Sequence, residues 1–231
     1  MTDRNLLCIE TATRNCSVAL VLDGTSVMVR EESSDQYIHA EKLHPFIHDL
    51  LNQADLQVKD LNAVMVSKGP GSYTGLRIGV SAAKGLCYPY SIPLLSMNTN
   101  QVLAMGAISE GGASDGRIIS LIDARRMEVY AGVFGLDGEQ LEDIRSEIVD
   151  VETFRSYLEE GPVHFVGDGV EKCLPFLQHR NARFPGIEYP SALWMKDLAL
   201  RKLESGEVED LAYFEPFYLK DFQAGKPKKL L

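Results

Sequence analysis

One order of predicted elements occurs twice in this chain of 231 residues: three strands, a helix, a strand and a helix. In the first half, short apolar segments separated by turn residues predict strands at Leu6–Glu10, Cys16–Leu22 and Val27–Glu31. Asp23-Gly24 lies between the last two segments and is typical of a tight hairpin. The first three strands are therefore predicted to be antiparallel neighbours in one sheet.

The first helix is predicted over His39–Ala54, where the hydrophobic period changes from two to 3.6 residues. Its apolar stripe consists of Leu43, Ile47, Leu50 and Leu51. Pro45 lies inside the segment and predicts a helix start or a kink there. The first half then continues with a strand, a helix, a strand and a helix, predicted at Ala63–Ser67, from the glycine-rich turn to Cys87, at Leu94–Met97 and at Thr99–Ile108.

The second half repeats this order after Glu110–Gly116, a polar, glycine-rich segment that is the best linker in the chain. Two repeats of three strands, helix, strand and helix predict an α/β protein with a duplicated ribonuclease-H-like fold. We expect lobes at residues 1–109 and 110–190. The last segment, residues 191–231, is expected to pack back on the first lobe. The other predicted elements are strands at Ile118–Asp123, Glu128–Phe134, Ile144–Val149 and Val163–Val166, and helices at Val151–Glu159, Val170–Leu177 and Ser191–Ser205.

The charge balance and the cysteines limit the class of protein. Twenty-three basic and 33 acidic residues give a net charge of −10, and such a surface repels phosphate backbones. The chain has no apolar run of membrane-spanning length, and it lacks the basic flank of a signal peptide. Its four cysteines form no CxxC pair. These features predict a cytoplasmic protein without a membrane segment.

The glycine-rich block Gly69-Pro70-Gly71-Ser72-Tyr73-Thr74-Gly75 has two interpretations. Glycines before a helix let backbone N–H groups cradle an anion, but the block lacks the Gly-Lys-Ser/Thr of a P-loop. The alternative is a tight strand-to-helix turn followed by close packing. Gly75, Gly79 and Ala82 would then form a small-residue face that another helix can approach.

Three other groups of polar residues have a structural and a functional interpretation. His44 and His48 have the spacing of two metal ligands but lack a third, so the helix edge is favoured. The segment Asp123–Arg126 is a charged hairpin turn, a subunit contact or a ligand clamp, and Asp168 lies in a turn or lines a cleft. The basic C-terminal residues belong to a solvated tail or to a contact with RNA or a partner; they are Lys220, Lys226, Lys228 and Lys229.

Several segments together resemble the TsaB (YeaZ) family, a bacterial subunit of the machinery that makes threonylcarbamoyladenosine in tRNA. The resemblance runs from end to end, and the most specific pair is the GPGSYTGLRIG block with DARRMEVY at the right distance. Glu10 departs from the pattern because the family usually has Asp there. The matching segments are Leu6–Leu20, His39–Leu51, Gly69–Leu86, Asp123–Tyr130 and Glu215–Lys220.

The resemblance implies an actin/Hsp70-like fold and a subunit without catalytic activity, metal or cofactor. TsaD, the catalytic relative, holds a metal with two histidines just after the strand that matches Leu94–Met97. Thr99 and Leu103 stand at those positions here, and neither is a good metal ligand. The transfer of a threonylcarbamoyl group to N6 of adenosine 37 in tRNA is therefore expected to take place on TsaD.

The resemblance also implies partners: TsaD, bound through helices of the first lobe, and the small ATPase TsaE. Transfer RNA is reached only through the complex, and the chain pairs with itself when TsaD is absent. The expected interface residues are Leu43, Ile47, Leu50, Leu51, Gly75, Ile78, Gly79 and Ala82. The alternative is an independent ATP-dependent phosphotransferase or metallopeptidase, for which a nucleotide would lie at Glu10, Thr11, Gly71 and Ser72.

Overall fold

Two five-stranded mixed sheets with flanking helices form the computed structural model, which describes residues 4–36 and 38–220. In the first sheet the strand order is β3-β2-β1-β4-β5, with β1, β2 and β3 antiparallel and β4 and β5 parallel to β1. Its strands are β1 (Leu6–Glu10), β2 (Asn15–Leu22), β3 (Ser26–Ser33), β4 (Ala63–Ser67) and β5 (Leu94–Met97).

The second sheet repeats the arrangement of the first, with strand order β8-β7-β6-β9-β10. Its first three strands are antiparallel and its last two are parallel to β6. This repeat confirms the predicted α/β, actin-like fold with two ribonuclease-H-like lobes. The strands are β6 (Arg117–Asp123), β7 (Glu128–Phe134), β8 (Gln140–Ile148), β9 (Val163–Val166) and β10 (Ala182–Arg183).

The helices are α1 (His39–Gln53), α2 (Tyr73–Cys87), α3 (Thr99–Ser109), α4 (Arg155–Glu160), α5 (Val170–Cys173) and α6 (Lys196–Ser205). α1 begins at His39 and runs through Pro45, whose ring lies on the exposed side. α4 is shorter than predicted because the Thr153 hydroxyl accepts the Asp150 N–H in a turn before the helix. No helix of the described residues has the length and hydropathy that crossing a membrane requires.

α3 lies between the two sheets and is buried almost all round. Val102 and Met105 pack in the core beneath the first sheet, whereas Leu103, Ala104 and Ala107 pack against the second. The Asn100 amide donates to the carbonyls of Ser120 and Tyr130 at 3.1 and 3.0 Å, respectively. A helix that is apolar on every side can serve two cores at once, so α3 joins the lobes.

Residues 191–220 return to the first sheet after the second has been completed. Met195, Leu198 and Ala199 share a core with Leu6 and Cys8 of β1. Farther on, the Glu209 N–H donates to the Leu94 carbonyl of the edge strand, and the Phe217 N–H donates to the Lys68 carbonyl. The lobe boundaries at residues 109 and 190 stay predictions, and residues 221–231 lie outside the described part of the chain.

The N-terminal turn of α2 meets the turn after β1 at very short range. The Ser72 N–H donates to the Ala12 carbonyl at 2.6 Å, and the Thr11 hydroxyl donates to the Gly75 carbonyl at 2.8 Å. A Cβ added to Gly75 would lie 2.1 Å from the Thr11 carbonyl oxygen, and one added to Gly71 would lie 2.3 Å from the Ala12 carbonyl oxygen. Only glycine permits this approach, which fixes α2 against β1.

Replacing Gly75 by alanine is expected to destabilise the chain by about 1–3 kcal/mol, since the new methyl group overlaps a backbone oxygen that cannot move cheaply. Urea unfolding of Gly75→Ala measures this loss. Gly85→Ala is the control in the same helix, because a Cβ there meets no atom within 4 Å. The control should gain about 0.5–1 kcal/mol. Equal stability of the two variants would contradict the close-approach account.

Candidate functional site

The apolar stripe of α1 faces the core of the chain and not its surface. Leu43, Ile47, Leu50 and Leu51 are all buried, and α1 packs on β2 and β3. Their side chains therefore face the interior of the folded chain, and the expected interface at these four residues stays a prediction. Helix spacing identified the buried face correctly but could not tell a core from a docking surface.

The small-residue face of α2 also contacts the chain itself. Gly75 and Gly79 lie against Thr11, whose hydroxyl would be 2.2 Å from a Cβ at Gly79. These two glycines therefore admit the turn after β1, and their expected contact with a partner helix stays a prediction. Ile78 is half-buried and Ala82 is 8% exposed, and both line a surface groove.

This groove runs between the outer sides of α1 and α2 and has a volume of about 570 Å³. We call it the α1–α2 groove; it is lined by Ala40, His44, Ile78, Ser81, Ala82, Gly85 and Leu86. Sequence reasoning missed Ala40, Ser81, Gly85 and Leu86. The signal was present, since positions 78, 81/82 and 85 recur at helix spacing, on a side of the helix next to the glycines that face Thr11.

The lining of the groove is suited to docking and not to chemistry. It offers small and aliphatic side chains, one hydroxyl and one imidazole, with no carboxylate or thiol. His44 and His48 are both exposed, and His48 contacts the Asn52 amide. Within residues 4–36 and 38–220, no three His, Cys, Asp or Glu side chains are grouped to hold a metal ion.

The four residues weighed for a nucleotide lie together at the joint between β1 and α2. Glu10 and Thr11 are fully buried, and Gly71 and Ser72 are half-buried. Two donors of the glycine block are used within the chain: the Ser72 N–H donates to the Ala12 carbonyl, and the Gly75 N–H donates to the Ser72 hydroxyl at 3.3 Å. The block therefore works as a packing joint in this structure.

Glu10 is the buried carboxyl group of this joint. Its Oε1 accepts the Ala12 N–H at 2.6 Å, and its neighbour on β4 is Ser67, the last residue of that strand. Burial raises the pKa of Glu10 from 4.5 to about 7, and hydrogen bonds, chiefly that from Ala12, oppose the rise. The side chain is therefore protonated in a large fraction of molecules at neutral pH.

Stability of the chain is expected to fall as Glu10 ionises. Because its pKa is higher in the folded than in the unfolded chain, its contribution is complete below pH 4.5 and is lost as the pH rises through about 7. Glu10→Gln, which stays neutral, should be more stable than the parent at pH 8 by up to about 3 kcal/mol. This advantage should vanish at pH 4.5.

Urea unfolding at pH 4.5, 6 and 8 measures this difference. The exposed Glu139 supplies the control, since Glu139→Gln removes a carboxylate that stands in solvent. A Glu10→Gln advantage of equal size at every pH would show that packing, and not ionisation, distinguishes the two side chains.

The predicted charged turn is a hairpin between β6 and β7 in which Arg125 and Arg126 have positive φ angles, 70° and 49°. Asp123 at the end of β6 pairs with Lys172, and its N–H donates to Asp168 at 2.8 Å. Burial raises the pKa of Asp168 to about 6.

Lys220 pairs with Glu128 at the start of β7; the other tail lysines, Lys226, Lys228 and Lys229, fall outside the described residues.

The two positions expected to match the metal-binding histidines of TsaD lie in the interior. Thr99 and Leu103 are both fully buried on α3. All four cysteines are buried free thiols, and burial raises the pKa of Cys8 to about 12. A thiol with so high a pKa is a poor nucleophile at neutral pH.

Comparisons with known proteins agree with this architecture. A family model described as TsaD, tRNA N6-adenosine threonylcarbamoyltransferase, matches residues 31–226. The tRNA threonylcarbamoyladenosine biosynthesis protein TsaB of Escherichia coli is 32% identical, over 96% of each chain. The protein of that name in Haemophilus influenzae is 27% identical, over 96% of this chain and 95% of its own.

A solved structure of YeaZ from Pseudomonas aeruginosa superposes with a TM-score of 0.81 at 29% identity, covering 94% of this chain and all of that one. Another structure from the same organism, with equal TM-score, is described as an uncharacterized protein with similarity to peptidase YEAZ. The duplicated fold, the glycine joint and the full-length similarity lead to one conclusion: the chain belongs to the TsaB family and takes part in tRNA threonylcarbamoyladenosine biosynthesis.

Proposed function

We propose that this chain is the non-catalytic subunit of a cytoplasmic tRNA-modifying complex and that it activates TsaD by binding it through the α1–α2 groove. The observation that carries the proposal is the groove itself, a surface strip of small and aliphatic side chains between two helices. The first sheet holds both helices in place from their other sides. TsaE and tRNA would meet this chain in the assembled complex.

The shape of the groove supports a helix as the occupant. Ala40, Ala82 and Gly85 expose little side chain, and a Cβ at Gly85 has open space in front of it. Small residues let helices approach to about 8–10 Å between axes, at which side chains of one helix enter the groove of the other. Such helix pairs can form the centre of an interface of about 1,200–2,000 Å² in total.

The choice of TsaD as the occupant rests on the family relation. The model that matches residues 31–226 bears the name of the transferase, so this chain and TsaD share a fold family and the helices that go with it. Related chains can pair through equivalent faces in a pseudo-symmetric dimer. A second copy of this chain offers the same groove and is the competing occupant.

A non-catalytic role is supported by the residues that chemistry would need. Thr99 and Leu103 replace the histidines of the catalytic relative and are buried, and the described cysteines are inert thiols. The chain would act by binding one conformation of TsaD more tightly than others. Such preferential binding shifts the population of TsaD towards that conformation without a reacting group here.

Gly85→Arg is expected to abolish pairing with TsaD while the chain stays folded. The new side chain extends into open space, so it disturbs no internal contact, but it fills the groove with a charge. We expect Kd for TsaD to rise by about 30-fold or more, or roughly 2 kcal/mol. Isothermal titration measures Kd, and thermal unfolding checks that Tm is not lowered.

Gly161→Arg is the matched control, because Gly161 also has no neighbour within 4 Å and lies at the end of α4 in the second lobe. Its Kd should equal that of the parent. If Gly85→Arg binds TsaD normally but no longer forms homodimers, the groove serves a second copy and the assignment to TsaD is wrong.

A further inference from the structure

The turn between β6 and β7, residues 124–127, carries two adjacent arginines. They belong neither to the α1–α2 groove nor to the contact between β1 and α2. Arg125 and Arg126 are both exposed, and both have φ values in the left-handed region, 70° and 49°. For a residue with a side chain, this conformation costs about 1–2 kcal/mol, and glycine or asparagine would relieve much of it. The chain thus has two arginines at positions where glycine or asparagine would make the folded state more stable.

Hydrogen bonds with Lys172 and Asp123 hold the backbone of the turn, so the two arginine side chains extend from a fixed backbone. The Lys172 ammonium donates to the carbonyls of Arg126 and Glu128 at 3.0 and 2.6 Å, and it also pairs with Asp123. The Asp123 carboxylate accepts the Arg125 N–H at 2.7 Å. Asp168 in turn accepts the Asp123 N–H. A backbone held in this way loses little entropy when its side chains bind a ligand.

The acidic groups next to the turn are already engaged with other cations. Asp123 pairs with Lys172, and Glu128 pairs with Lys220 and accepts the Ser146 hydroxyl. Across residues 4–36 and 38–220, no ion pair is formed by either Arg125 or Arg126. In the same lobe Arg117, Arg145 and Arg155 each pair with a glutamate, whereas Arg180 and Arg183 have no ion pair among the described residues.

We propose that the β6–β7 turn binds phosphate groups of the tRNA backbone through Arg125 and Arg126 when the complex engages its substrate. This inference rests on the proposed function, which supplies tRNA as the substrate. Guanidinium groups bind phosphate oxygens in a bidentate manner, and contacts of this kind set the position of a nucleic acid without reading its sequence. Because the chain has a net charge of −10, most of its surface repels RNA. A local pair of cations without ion-pair partners therefore also determines which face the RNA can approach.

An acidic protein surface is the other partner that two arginines could serve, and Met127 and Ile148, 36% and 72% exposed, are the apolar side chains beside the turn that such a surface would cover. We choose RNA because the tip of the turn is formed by two guanidinium groups, which need no apolar contact to bind phosphate. Specific protein interfaces bury an apolar centre surrounded by polar groups, whereas contacts with nucleic acid are dominated by charge.

The experiment compares two variants of equal net charge in the complex with TsaD. Arg125→Asn/Arg126→Asn removes both cations and tolerates the left-handed backbone. Arg180→Asn/Arg201→Asn removes two exposed arginines elsewhere. Binding of a tRNA transcript is followed by fluorescence anisotropy at several salt concentrations. The turn variant should bind about tenfold or more weakly, with a salt slope reduced by roughly 1–2, since each phosphate contact contributes about 0.7–0.9. The control should match the parent.

Unchanged affinity and slope in the turn variant would overturn the proposal, as would an equal loss in the control. Weaker association with TsaD at unchanged tRNA affinity would assign the turn to a protein contact instead. Failure of the parent chain itself to support modification by TsaD is a separate result and counts against the proposed function. Thermal unfolding of the turn variant should show a Tm equal to or above that of the parent, which excludes misfolding as the cause.

Discussion

The contact between the first turn of α2 and the turn after β1 is the interaction on which the rest of the structure depends. Ser72 and Ala12 are joined backbone to backbone, and Gly75 and Gly79 allow Thr11 to reach the helix. With Gly75 and Gly79 packed against the turn after β1, the neighbouring side of α2, which carries Ser81 and Gly85, lies at the surface beside α1. The joint therefore sets one wall of the α1–α2 groove, and it gives the glycine block a packing role.

Burial at this joint has an electrostatic consequence. Glu10 ends β1 where no solvent reaches it, so its neutral form is favoured and its pKa rises to about 7. Across the molecule, the hairpin after β6 occupies the same place in the second lobe that the turn after β1 has in the first. Duplicated turns have thus diverged: one is a buried packing joint, and the other is an exposed turn with two free arginines.

The repeated order of elements made the fold predictable, because hydrophobic period and turn residues act locally. The predicted ends of every strand of the first sheet, and of α1 and α3, agree with the structure to within two residues, whereas α2 begins at Tyr73, inside the block predicted as a turn. The two-residue strand β10 was missed, since it is too short to carry a period. The predicted helix after Val170 ends at Cys173 as α5 and continues as a tighter 3-10 turn that contains Pro175.

The site was less predictable, because a hydrophobic stripe has the same pattern whether it faces a core or a partner. Leu43 and Leu50 were assigned to the interface, but they cover β2 and are fully buried. The groove is lined instead by weakly hydrophobic positions such as Ser81 and Gly85, whose role depends on which side of α2 the joint holds. The left-handed φ values of Arg125 and Arg126 likewise occur in a turn whose carbonyls accept hydrogen bonds from the distant Lys172, a contact that local sequence does not reveal.

The most direct test of the account is an omission assay for the modified nucleoside. TsaD and TsaE from the same source are combined with tRNA, ATP and threonylcarbamoyl-adenylate, with and without this chain, and threonylcarbamoyladenosine is quantified. The account predicts product only when the chain is present together with TsaD, and none from the chain alone. Equal product without the chain, or product from the chain in the absence of TsaD, would contradict it.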